Sequence, residues 1–314
     1  MNIHFLRFVG KVKGIFSPTL PYMPLLQDGN SIPYFGTYSP QHMGNFDTDC
    51  CWDFSGVNIL ETRFRILWEK NLIPQDTKDW CIQNKYCDTN GMPDFSDRWV
   101  AIISGVKSAG NYQQNFWDIV GQVGMIPQSM LPYDPNQAYK YNNQNDFNND
   151  YFNVNVITPA MRAMGKEFLK RFDIAGQTTN GGYYKDISSM LLTYLKEGSM
   201  QIGIPVPQDG SWNQVNVTCP AGNYNAQHAV ELSNFDSTMA FPFQIYDSYM
   251  PNQKNLSQNY YIPFITRARV YPKPVTMPVP LVQFSPWMKT YFNVVAWLQG
   301  KTIPYPSTPI GGII

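Results

Sequence analysis

Charge is scarce in this chain of 314 residues: 23 Lys and Arg balance 23 Asp and Glu, and charged residues make up 15% of the whole. That excludes a basic nucleic-acid glove and an acidic tail. No run of about 20 apolar residues occurs, so no helix is expected to cross a bilayer. Near the start, Arg7, Lys11 and Lys13 lie among apolar residues, Arg7 and Gly10 break the run, and no small-residue cleavage site follows. A secretory signal is therefore not expected. Cysteine is sparse too. Cys50, Cys51, Cys81, Cys87 and Cys219 are an odd number at irregular spacing, without a Cys-x-x-Cys pair. They make neither a disulfide framework nor a zinc site, and fit a reducing, intracellular compartment with at least one functional thiol. No cofactor is implied. Histidine is rarer still: His4, His42 and His228.

What the chain has in quantity is aromatic residues and proline, with 20 Tyr, 19 Phe, 8 Trp and 25 Pro. Residues 1–37 are rich in Pro, Gly and Tyr after a basic start and are expected to form an extended arm. From Cys51 the pattern changes. Phe54, Val57, Leu60, Phe64 and Leu67 recur at helical spacing up to Lys70, with Thr48 and Asp49 as capping chemistry just before. Further helices are expected over 94–105, 113–121, 159–172 and 185–197. The Asn-crowded stretch 141–155 suggests a surface excursion. After Gly198 the period switches to two, through Met200, Ile202, Ile204 and Val206, then His228, Val230 and Leu232, then Phe243 and Ile245, then Ala268 and Val270. A helical half followed by a mostly antiparallel strand half is an α+β arrangement, which often holds a site in the cleft between its halves.

A catalytic thiol needs a base within hydrogen-bond reach and a third group to fix that base. Cys51 stands at a helix start, where unpaired amides and the helix dipole favour an anion. His228 opens one alternating strand and Asp247 closes a later one, with a turn-like stretch at 234–238 between them. Antiparallel pairing centred on residues 237 and 238 would set 228 and 247 directly opposite each other. Such a His–Asp pair is more often structural than catalytic; a thiol elsewhere in the chain gives it weight.

Here the motifs become specific. Cys51-Trp52-Asp53-Phe54-Ser55 resembles the Cys-Trp-Ala-Phe-Ser helix start of papain-like (C1-type) cysteine peptidases. His228-Ala229-Val230 resembles their His-Ala-Val strand, and Asp247-Ser248-Tyr249 stands where they have Asn-Ser-Trp. Phe95-Ser96-Asp97, Gly110-Asn111-Tyr112, Gly124 to Pro132-Tyr133 and Gly198-Ser199-Met200 follow the family's remaining segments in order. The similarity covers roughly residues 38–270. Phe46-Asp47-Thr48, with Phe95 to Arg98, further resembles papain-like proteins encoded by tailed bacteriophages.

The resemblance implies a two-lobed fold, with a helical lobe at about 45–140 and an antiparallel β-sheet lobe at about 175–270. It implies peptide hydrolysis by Cys51 as nucleophile and His228 as base, oriented by Asp247, with Trp52, Gly110 and Asn111 lining the substrate site. The family's oxyanion donor is a Gln shortly before the nucleophile. Strict register gives Asn45; residue type gives Gln41. Thr48 replaces a family cysteine, so one usual disulfide is not expected, and with about 50 residues before Cys51 neither is the usual propeptide. A carboxylate at 247 should raise the histidine pKa. Implied partners are a protein or peptide substrate and, through the arm and the Pro-rich extension 271–314 with its helical stretch from Trp287 to Leu298, other virion proteins. A second reading is a virion structural protein with the same fold and little activity, and a third is a peptidoglycan amidase of another thiol-hydrolase family, against which the aromatic after Cys51 and Asp247-Ser248-Tyr249 count.

Overall fold

In the computed structural model, which describes residues 25–106, 110–220 and 227–273, the apolar period after Cys50 folds as α1 (Cys51–Glu69). Burial extends round the helix and takes in Asp53, Asn58, Glu61, Thr62 and Arg63 beside Val57, Leu60 and Phe64, so α1 runs through the interior. Thr48 and Asp49 do not cap it. Cys50 is the N-cap residue and makes no side-chain cap. Thr48 Oγ1 accepts from the Cys50 N–H at 3.3 Å, and Asp49 takes a left-handed φ of 53° that turns the chain into the helix.

The other helices are α2 (Gln75–Gln83), α3 (Trp99–Ser104), α4 (Gln113–Val123), α5 (Gln144–Tyr151), α6 (Pro159–Arg171) and α7 (Tyr184–Leu195). The helix expected from 94 starts only at Trp99, because Phe95 is drawn into a β-bridge with Pro127. The expected surface excursion contains α5. Asn143 caps it by accepting from the Asp146 N–H, and Phe147 and Tyr151, one turn apart, are buried.

A short hairpin, β1 (His42–Met43) and β2 (Phe46–Asp47), precedes α1. The main sheet comprises β3 (Phe172–Tyr183), β4 (Met200–Ile204), β5 (Asn216–Val217), β6 (His228–Phe235), β7 (Phe243–Tyr246), β8 (Gln253–Leu256) and β9 (Tyr261–Pro272), in the order β3-β9-β4-β6-β7-β8-β5. The fold is α+β. Its sheet is mixed, not purely antiparallel, because β5 lies parallel to β8 at one edge. Alternation along β4 separates two layers. Met200, Ile202 and Ile204 pack with Ile187, Leu191 and Leu195 of α7, whereas Gln201 faces α1. Part of the expected arm is packed down: Leu25 and Leu26 are buried, and both donate their N–H groups to Lys196 O at 2.7 Å. The rest of the arm, and the extension with its expected helix, lie outside the described residues.

The C-terminal end of α4 meets the middle of α6 backbone to backbone. Gly124, at φ 73°, has no room for a Cβ against the Gly165 carbonyl oxygen, and a Cβ on Gly165 would collide with that of Val123. Gly165→Ala is expected to destabilise the fold by about 1–3 kcal/mol. A urea titration should show a lower midpoint at unchanged slope; an unmoved midpoint would mean the helices part freely.

Candidate active site

The two adjacent cysteines have different fates. Cys50 is fully buried, and burial, then the nearby Asp53, pushes its thiol well above the ordinary range. Cys51, the first residue of α1, is partly exposed. At that position the backbone N–H has no partner within the helix and can serve an incoming anion.

His228 is the first residue of β6 and pairs with Ile204 at the end of β4. Its ring is buried. Nε2 meets Asp247 Oδ1 at 2.6 Å, and Cys51 is among the groups that favour the protonated imidazole. Three segments far apart in sequence therefore converge: thiol, imidazole and carboxylate. The strand register that brings them together differs from the expected one. Glu231 pairs with Tyr246 and, beyond a bulge, Asn234 pairs with Gln244. Continued, that register would set His228 opposite Tyr249. The reason is the turn: Asp236 Oδ1 accepts from the Thr238 N–H and the Asp236 N–H reaches Pro242 O, which moves the turn centre beyond 238. Asp247 lies past the end of β7 and reaches His228 diagonally, its own N–H held by Asn252 O at 2.8 Å.

A residue the sequence did not disclose completes this group. Lys254 of β8 donates to Asp247 Oδ2 at 2.6 Å, to Tyr249 O at 2.7 Å and to Pro251 O at 2.6 Å. All three ammonium hydrogens are thus used. The Lys254 and Asp247 side chains are both fully buried. Trp212 sits edge-on to His228, with ring centroids 5.4 Å apart, and its face lies 5.0 Å from Lys254 Nζ. In sequence, Lys254 is a lone cation in a polar stretch; its only signal is that it shares a strand face with Leu256.

These contacts sort the charges. Burial works against protonated His228, but Asp247 and Cys51 outweigh it and push its pKa up from 6.5 to about 10. Burial alone would raise Asp247; His228 and then Lys254 hold it below the usual carboxylate range. For Lys254, burial wins over the attraction of Asp247 and lowers its pKa.

The remaining expected residues are placed as follows. Gln41 is buried beside the 247–249 segment. Its Nε2 donates to Asp47 Oδ1 at 2.8 Å and to Tyr249 Oη at 2.5 Å, and its Oε1 accepts from Ser248 Oγ at 2.8 Å. Asn45 is exposed at the β1–β2 turn. Trp52 has no accessible surface and belongs to the core, so it offers nothing to a substrate; its spacing beside Cys51 suits packing instead. Gly110 is exposed. Asn111 Oδ1 accepts from Tyr112 N–H at 2.8 Å and from Asn115 Nδ2, which ties it to the start of α4. Among the described residues no cluster of His, Cys, Asp or Glu could hold a metal, and no helix is long and apolar enough to cross a membrane.

No protein-family model matches the chain, and no curated protein matches it. Solved structures do. SERA5E from Plasmodium falciparum is similar over 79% of this chain and 95% of its own, at 12% identity and a TM-score of 0.46. The SERA5 proenzyme from the same organism is similar over 74% and 62% respectively, at 14% identity and a TM-score of 0.45. Likeness at this level fixes no chemistry for the present chain.

Because the folded-state pKa of His228 lies above 6.5, its protonation stabilises the fold fully below pH 6.5 and ceases to do so as pH rises toward about 10. Wild type is expected to lose stability across that window relative to His228→Ala. Urea midpoints of both proteins from pH 6 to 10 check this, and parallel curves would refute it.

Proposed function

We propose that the protein is a papain-like thiol hydrolase that cleaves peptide bonds through Cys51 and His228. The observation that carries this reading is a buried His228 fixed by Asp247 at 2.6 Å, whose protonated form is favoured by the partly exposed Cys51. A structural core has no use for a thiol held at its surface against an oriented base. On this reading the helices and the sheet form two lobes, and substrate lies across their junction.

With the proton on His228, Cys51 Sγ attacks the scissile carbonyl carbon and the carbonyl electrons move to oxygen. The Cys51 backbone N–H at the start of α1 stabilises that oxygen. His228 then gives its proton to the leaving amine, the C–N bond breaks and an acyl-thioester remains. Water, losing its proton to His228, attacks the thioester and releases the acid, and Cys51 departs as thiolate. Asp247 keeps the imidazole in the orientation both transfers need. A virion setting follows from the phage-like motifs alone and adds nothing to this chemistry.

One observation favours a second reading, a papain-like scaffold with little activity. Both Nε2 hydrogens of Gln41 are committed to Asp47 and Tyr249, and Asn45 is exposed at its turn. The side-chain oxyanion donor is therefore not free in this state.

An epoxide inhibitor of thiol peptidases, followed by peptide mapping, separates the two. The hydrolase reading expects rapid modification confined to Cys51 and slowed by roughly 100-fold or more in His228→Ala. Slow labelling scattered over the cysteines and indifferent to His228 would leave the scaffold.

A further inference from the structure

The carboxylate beside His228 does not act alone. Asp247 accepts from His228 on Oδ1 and from Lys254 on Oδ2, each at 2.6 Å. A lone buried carboxylate would bind the imidazolium proton strongly. That suits a structural ion pair but hinders an acid that must hand its proton to a leaving amine, because proton donation works best near the operating pH. We propose that Lys254 is a positioning residue: it locks the Asp247 carboxylate in place and offsets its charge, so that His228 releases its proton more readily than it would beside an uncompensated anion. The consequence for catalysis rests on the hydrolase reading; the electrostatic claim does not.

Lys254 is built for this and for nothing else visible around it. Its ammonium is fully buried, and its hydrogens end on Asp247 and on two carbonyls of the turn that follows it, Tyr249 and Pro251. The turn that presents Asp247 is thereby closed by the same cation. The Trp212 face lies over the ammonium, while its ring meets His228 edge-on, so one indole walls both cations from water. A buried ion pair gives little net stability. Its placement on the far oxygen of the histidine's partner is what calls for an explanation.

The other groups facing this cluster do not compete for the role. Cys51 comes from α1 and favours the protonated histidine. Tyr38 donates to Ser248 O at 3.1 Å; burial and then Asp247 push its pKa up to about 12. Tyr249 donates to Asp47 Oδ2 at 2.5 Å and is raised further by burial and Asp47. Both phenols therefore stay neutral where the histidine titrates. His42 packs on Tyr249 with centroids 4.4 Å apart, on the ring's way to Asp47.

The test is the titration of His228, followed by NMR of the full chain labelled with 15N-histidine. Only three histidines are present, and His228→Ala assigns the signal. Lys254→Met should raise the deprotonation midpoint of His228 by about one pH unit or more, as expected when the carboxylate beside it loses its second counterion. The double variant Asp247→Asn/Lys254→Met should bring it back below that of Lys254→Met. Should Lys254→Met not fold, Lys254→Gln, which keeps two donors without the charge, should show the same upward shift. A midpoint unmoved or lowered in the folded single variant overturns the proposal, as does a double variant no lower than it. Epoxide labelling of wild-type Cys51 reports separately on the hydrolase reading, so a chain with unreactive Cys51 but a shifted His228 would keep this inference and lose that one.

Discussion

The site depends on one buried amide. Gln201, in the middle of β4, donates to Trp52 O at 2.7 Å and to Ser55 Oγ at 2.7 Å, and accepts from Trp117 Nε1 at 3.0 Å. Ser55 in turn donates to Cys51 O at 2.6 Å. The first turn of α1 is thereby fastened to a strand. Three residues along that strand, Ile204 pairs with His228. Strand β4 acts as a ruler, with a rise of about 3.3 Å per residue, that sets the thiol-bearing helix end against the imidazole. Every group on Gln201 that could bond is used, and an unsatisfied buried amide costs about 1–3 kcal/mol, so the seating tolerates little slippage.

Against that rigid frame, buried acids divide by their surroundings. Asp53, Glu61, Asp97 and Glu231 are all buried, and burial pushes each of them upward, Asp97 and Glu231 to about 7 and Asp53 and Glu61 well above the ordinary carboxylate range. Asp247 is as deeply buried yet moves the other way. Desolvation acts on all five; two adjacent cations act on Asp247. Burial thus pushes those four carboxyls toward neutrality, whereas Asp247 stands between two cations. Imidazolium, carboxylate and ammonium then alternate in sign along His228, Asp247 and Lys254, which is how three charged groups can share a dry site.

What the sequence discloses of this follows from which signals are local. The apolar periods announce α1, α4, α6 and α7, and the alternation announces β4, β6 and β7. Cys51, His228 and Asp247 stand out because histidine is rare. Strand β3 is silent: Gln177 to Gly182 has no alternation, and its strand state comes from pairing with β9 along its length. Helix α5 hides in Asn-rich sequence, although Phe147 and Tyr151 carry the spacing. The exact strand register was beyond reach, since a side-chain turn at Asp236 and a bulge between Leu232 and Asn234 set it. Lys254 was invisible because a lysine's ordinary place is in water, and only the tertiary position of Asp247 reverses that.

The commitment of Gln41 is less of an obstacle to catalysis than it first looks. Its amide gives one hydrogen to Asp47 and one to Tyr249, while Tyr249 itself donates to the other oxygen of Asp47. If the Gln41 amide hydrogen now given to Tyr249 turned toward a substrate oxygen, the phenol would still hold its stronger, charge-assisted bond to Asp47. The loss would be one neutral hydrogen bond, about 0.5–1.5 kcal/mol. An oxyanion-hole donor contributes about 2.7–4 kcal/mol to the transition state. The balance favours release wherever the geometry lets the amide reach, because the developing negative charge of a transition state attracts the donor more strongly than a phenol does. The network around Gln41 is then compatible with hydrolysis, and the decisive quantity is the distance from the amide to a substrate carbonyl, not the number of other bonds the amide makes.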